Sequence, residues 1–179
     1  MTWYDALREQ YRPETVQVLF VGESPPDPKD AERRFFYSPT LFKADNLFRG
    51  VMKALYDAQS PQLAGRKTWW LERFKADGFW LMDLTDRPVN TMPSRERRQA
   101  RREAVPQAIE RLRDAAPLLG VVVCQRPTFE VLARPFRADG GGVLHDRPIP
   151  FPLGNHRDRF VDLVREALRR VGVEVPLRH

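Results

Sequence analysis

Apolar positions along the chain alternate between helical and extended spacing. Trp3, Tyr4, Leu7 and Tyr11 recur at helical intervals behind Thr2, a residue type that caps helix starts. Val16-Gln17-Val18-Leu19-Phe20-Val21 predicts a buried strand that ends at Gly22. Leu47, Phe48, Val51 and Leu55 predict a helix opened by Asp45, and Phe79-Trp80-Leu81-Met82-Asp83-Leu84 predicts a second strand, stopped before Pro88. A basic helical region runs from Ser94 to Ala116, with Pro106 opening a second helix inside it. Leu118 to Cys124 is the strongest strand, and a short helix covers Thr128 to Ala133. Gly140-Gly141-Gly142 turns the chain toward a last strand expected at Arg147 to Phe151. The terminal helix carries Asn155 as its cap, Gly172 as its stop, and one apolar stripe from Phe160 to Val171.

Strands made of continuous apolar runs and separated by helices indicate an α/β fold, a parallel sheet covered on both faces. Ligands of such sheets sit at the carboxyl ends of the strands. That rule selects four segments: Gly22 to Pro28, Asp83 to Asn90, Cys124 to Pro127, and Phe151 to Arg157.

Composition narrows the class. A chain of 179 residues without repeats, low-complexity tracts or linkers reads as a single domain, 1–179. Its 42% hydrophobic content supplies a core and excludes wholesale disorder. No stretch approaches the roughly 18 apolar residues of a membrane span. The opening residues Met1 to Asp5 lack the basic-then-apolar order of a secretory signal, so a cytoplasmic location is expected. Cys124 stands alone, which excludes an intramolecular disulfide, a cysteine-based zinc site and a four-cysteine iron–sulfur cluster. Thirty Lys and Arg against 24 Asp and Glu give a net charge of +6. The resulting pI near 9.9 fits either a polyanion-binding protein or a soluble enzyme from an arginine-rich proteome.

Candidate chemistry begins at Gly22-Glu23-Ser24-Pro25-Pro26, where Gly22 allows a sharp turn and two prolines stiffen the loop. Glu23 then stands where a strand meets solvent, suited to a water or a developing cation. Neither a Walker A loop nor a GxGxxG fingerprint is present. Arg33-Arg34-Phe35-Phe36-Tyr37 sets two cations beside three rings, which cannot all point inward. An exposed ring there would be a stacking platform for a nucleobase. From Arg95 to Arg102 five arginines face one glutamate. This is either a solvated helix face or, if the helix lies beside the cleft, a duplex-binding one.

These segments together resemble the uracil-DNA glycosylase superfamily, most nearly its iron–sulfur-containing branch. There a strand ends in Gly-Glu-Ala-Pro-Gly with a base-stacking Phe some fourteen residues on; here stand Gly22-Glu23-Ser24-Pro25 and Phe36. Met82-Asp83-Leu84-Thr85-Asp86-Arg87-Pro88 is similar to the branch's Asn-Val-Val-Lys-Cys-Arg-Pro segment with one position dropped. Arg102 to Val123 repeats its order of helix, proline and strand. The likeness extends from about Val16 to Leu168. It departs at the cluster cysteines, which are missing, and at the last loop, where Phe151-Pro152-Leu153-Gly154 replaces a polar residue before proline. Asn155 or His156 takes the polar role if the register shifts.

The resemblance implies a three-layer α/β/α sandwich with a central, mostly parallel four-stranded sheet. The implied activity is hydrolysis of the N-glycosidic bond of a flipped, damaged or deaminated base in DNA, without metal, iron–sulfur cluster or other cofactor. Glu23 and Asp83 would be catalytic. Ser24, Phe36 and Asp83 would hold the base, and Pro25, Arg87, Asn155, His156 and Arg157 the DNA backbone. Asp83 stands where the family reads uracil with an Asn. An ionised carboxylate only accepts hydrogen bonds, which disfavours uracil unless burial keeps it protonated. Asp83 could instead cap a loop or pair with Arg87. The implied partner is duplex or single-stranded DNA, bound by a monomer outside any membrane. The alternatives are an inactive relative that binds DNA and, further off, an unrelated α/β hydrolase or transferase.

Overall fold

The computed structural model describes residues 2–27 and 35–177. Arg33 and Arg34 of the basic aromatic segment, and Pro28 at the end of the first loop, lie outside them. Helix α1 (Trp3–Gln10) opens on a reciprocal pair: Asp5 N–H donates to Thr2 Oγ1 and Thr2 N–H to the Asp5 carboxylate. Strand β1 (Val18–Gly22) follows, then helices α2 (Asn46–Tyr56), α3 (Ser60–Leu63) and α4 (Lys67–Ala76). Strand β2 (Phe79–Asp83) leads into the 22-residue helix α5 (Ser94–Ala115). Strand β3 (Gly120–Val123), helix α6 (Arg126–Ala138), a 3₁₀ turn (Gly154–His156) and helix α7 (Arg157–Arg169) complete the chain.

All three strands are parallel, in the order β2-β1-β3, and every residue in them is buried. Among the described residues three strands form, where four were expected. The chain touches the free side of β3 through one parallel bridge, Val121 with Val143. Beyond it the imidazole of His145 takes the place of a strand, its Nε2 accepting from Val123 N–H at 3.0 Å. The expected strand at Arg147 to Phe151 is irregular because Pro148 and Pro150 remove alternate donors. On the opposite edge, the Tyr37 hydroxyl donates to Leu81 O (3.1 Å) and accepts from Leu81 N–H (2.6 Å).

Two helical expectations change as well. Helix α5 runs unbroken through Pro106, because Ala100, Val105, Ala108, Leu112 and Ala115 bury one stripe on both sides of it. That continuous burial outweighs the roughly 3 kcal/mol that an interior proline costs. Asn155 is exposed within the 3₁₀ turn and makes no cap, so α7 starts at Arg157. Helix α4 packs on β2 and α6 on β3, while α2 pairs with α7 and α5 with α6. Among the described residues no helix is long and apolar enough to cross a membrane.

Candidate functional site

At the carboxyl ends of the strands lies a cavity of about 490 Å³. All four segments selected by the strand-end rule reach it. Gly22 to Pro26 come from the first, Asp83 and Asn90 from the second, Cys124 and Gln125 from the third, and Phe151 from the fourth. The start of α2 and the Phe35–Phe36 turn close the remaining wall. Backbone pairing continues past the strands and sets the first two loops side by side. Leu84 N–H donates to Gly22 O (3.0 Å) and Thr85 N–H to Glu23 O (2.9 Å).

Gly22 is needed here for close approach rather than for a left-handed turn. It pairs directly with Asp83 in the sheet, and a Cβ on Gly22 would stand 2.6 Å from Asp83 Oδ1. The Asp83 side chain therefore lies across the end of β1.

Asp83 is 5% exposed, and its partner is Arg8 of α1, not Arg87. Arg8 Nη2 donates to Asp83 Oδ2 at 2.9 Å, leaving Oδ1 beside Gly22 without a hydrogen bond among the described residues. Burial pushes the Asp83 carboxyl above its ordinary value, and the Arg8 charge offsets only part of that. Arg111 of α5 donates to Asp83 O and Leu84 O, fixing the strand end. Arg87 is exposed, away from the cavity wall.

Glu23 is 8% exposed and held by two arginines of α5. Arg97 approaches through two nitrogens, with Nε to Oε1 at 2.9 Å and Nη2 on Oε2, and Arg101 Nη1 donates to Oε1 at 2.5 Å. Burial raises the Glu23 carboxyl, but the two guanidinium groups outweigh it and hold it below the ordinary value. Glu23 is therefore an ionised acceptor at neutral pH. The sequence shows this clamp only as arginines four apart on one helix face, a spacing that serves a solvated face equally well.

Phe35, Phe36 and Tyr37 are all buried, contrary to the expectation that one ring must face out. The segment is a turn, so successive rings enter different parts of the core. Phe35 meets Trp3 and Tyr4, Tyr37 stacks on Tyr11, and Phe36 packs against Phe48 and Phe74. Phe36 is 7% exposed and that remainder lines the cavity. The turn is pinned by Lys67, whose Nζ donates to Phe35 O (3.0 Å), Thr40 O (3.3 Å) and Asp45 Oδ2 (2.9 Å). Asp45 also lines the cavity, so this buried pair belongs to the site's frame.

Ser24 and Pro25 line the cavity. Asn155, His156 and Arg157 do not; all three are exposed. Arg157 stands one side chain away, its Nη2 donating to Asn46 Oδ1 at 3.2 Å. Phe151 reaches the wall because Pro152 lies against Gly50, where a Cβ would come within 2.8 Å of the proline ring. Cys124 lines the cavity too, but burial pushes its thiol far up, which leaves it protonated and unreactive. Compared with protein-family models, curated proteins and solved structures, the chain matches none.

Proposed function

We propose that the cavity holds a nucleotide base extruded from DNA and that the protein hydrolyses its N-glycosidic bond, in the manner of the uracil-DNA glycosylase superfamily. One observation carries the reading: Glu23, Ser24, Phe36 and Asp83, from segments far apart in the chain, meet in one cavity. Its volume falls within the about 300–1,000 Å³ of small-molecule sites. The same reading includes a three-layer α/β/α arrangement and a monomer acting in the cytoplasm.

In this reading Phe36 offers part of its ring to the base, and Asp83 Oδ1 accepts from a donor on the base edge. Glu23 keeps a free lone pair on Oε2 beside its arginine bonds, enough to orient one water. The water oxygen attacks the sugar C1′ as the bond to the base nitrogen breaks. The bonding electron pair leaves with the base, and a water proton follows to it or to solvent. Negative charge at Glu23 favours the sugar's developing cation, while Arg97 and Arg101 favour the departing base anion.

A second reading, DNA binding without hydrolysis, is favoured by that same clamp, since two cations offset the Glu23 charge. A duplex panel carrying uracil, hypoxanthine, xanthine or thymine mismatches separates the two. Strand scission after alkali, lost in Glu23→Gln, supports hydrolysis. Binding on every lesion without scission supports the second reading. Absence of DNA binding at low salt removes both and leaves an α/β enzyme of small substrates.

A further inference from the structure

Helix α5 presents arginines in two directions. Arg97 and Arg101 turn toward the cavity and hold Glu23. Arg95, Arg98 and Arg102, spaced three and four apart, share an adjacent face and are exposed. Their guanidinium groups make no hydrogen bond or ion pair among the described residues, and neither does that of Arg87 across the adjoining hollow. Two glutamates border this hollow, Glu96 and Glu103, and four arginines outnumber them. On its other side, Arg98 and Arg102 line a groove between α5 and α6 whose walls are Val105, Pro106, Val131 and Pro135. The one acid of that groove, Glu130, is already paired with Arg126.

Arg101 joins the two regions. It lines the groove and donates to Glu23 in the cavity. A polyanion lying on the outer face of α5 therefore runs directly to the rim of the site. We propose that Arg95, Arg98 and Arg102 form a phosphate-tracking surface for a DNA strand continuous with the nucleotide in the cavity. The inference rests on the reading of the cavity given above. Seven residues of helix span about 10.5 Å. That matches about three steps of a strand rising 3.4 Å per nucleotide, so the three cations lie within reach of four successive phosphates. Exposed guanidinium groups without acidic partners among the described residues suit a ligand that brings its own charge.

The test measures binding of an undamaged 20-base-pair duplex by fluorescence anisotropy across a salt series, which needs no chemistry in the cavity. Replacing Arg95, Arg98 and Arg102 by Gln should lower the slope of log K against log salt by about 0.9 per arginine, or about 2.7 for the three. A charge-matched control, Arg12→Gln with Arg66→Gln and Arg159→Gln, should leave the slope near wild type. The thermal midpoint of the α5 variant should stay within a degree or two, since the replaced groups have no partners to lose among the described residues. An unchanged slope in the α5 variant, or an equal drop in the control, overturns the surface while the cavity reading stands. A wild-type chain that binds no duplex at any salt overturns both. Tighter binding to an RNA of equal length overturns the choice of DNA.

Discussion

Replacing Asp83 by Asn separates what this side chain does for the fold from what it does in the cavity. The change conserves volume, which matters because Gly22 leaves no room beside Oδ1. The carboxamide oxygen can still accept from Arg8 Nη2, so one hydrogen bond survives and the charge pairing is lost. Both partners are at least nine-tenths buried. A bond between two charged groups stands at the upper end of the about 1.5–3 kcal/mol of charged hydrogen bonds, and the bond that remains, with Arg8 still charged, at the lower end, so the substitution should cost about 1–2 kcal/mol. Asp83→Ala leaves the buried Arg8 only the more exposed Asp5 carboxylate, 3.2 Å from its Nη1, and should cost about 3–5 kcal/mol. In a chain of this length each kcal/mol moves the thermal midpoint by about 2–4 °C. The midpoint should thus fall by about 2–8 °C for Asn and about 6–20 °C for Ala.

The pH dependence has a defined sign. Asp83 is raised in the folded state, so the folded protein binds the extra proton, and stability from this group declines as pH rises from near 3.8 through the folded value. Asp83→Asn lacks that decline. With its oxygen committed to Arg8, the amide turns its NH₂ to the cavity, so an acceptor becomes a donor. Relative kcat/KM should then shift from amino-edged bases toward carbonyl-edged ones such as uracil, by about 10- to 150-fold for one hydrogen bond of 1.5–3 kcal/mol. Calorimetry of the three proteins and a competition assay on mixed lesions read both effects. Equal destabilisation by Asn and Ala would refute the retained Arg8 bond, and an unchanged base ranking would refute the role in the cavity.

Lys67→Met should destabilise by about 3–5 kcal/mol in urea unfolding, because Asp45 is left buried without its cation. It should also raise proteolysis of the Phe35–Thr40 turn that Lys67 pins; a loss under 1 kcal/mol would show the pair to be dispensable. His145 should make stability fall as pH drops from 7 toward 5. Its Nε2 accepts from Val123 N–H and its Nδ1 donates to Arg147 O, so only the neutral ring fits. Burial holds it below the ordinary value, with Arg137, Asp146, Arg170 and the Phe129 ring around it. The unfolded chain takes up the proton first, so this contribution is complete above about pH 6.5 and lost below it. Thermal melts of His145→Leu should lose that slope while costing about 1–3 kcal/mol for the orphaned Val123 N–H; an unchanged slope would assign the titration elsewhere.

What the sequence made legible follows from which interactions are local. Three strands were readable because each is an uninterrupted apolar run buried on both faces. The strand-end rule then found the cavity without any knowledge of its partners. The fourth strand failed on Pro148 and Pro150, a local signal present in the chain beside the alternating apolar Ile149 and Phe151 that suggest a strand. The charged partners were illegible for a different reason. Arg8 and Asp83 are 75 residues apart and Arg97 and Glu23 are 74, and no spacing rule connects them. One clue did exist. Tyr4, Arg8 and Tyr11 share a helical stripe, and an arginine among buried tyrosines requires a buried acid. The same reasoning applied to Lys67, beside Trp70 and Leu71, asks for an acid that the sequence leaves unnamed and Asp45 supplies. Buried cations on otherwise apolar faces thus mark where this fold fixes its cavity wall. Both acids so demanded, Asp83 and Asp45, line the same cavity, which ties the stability of the frame to the shape of the site.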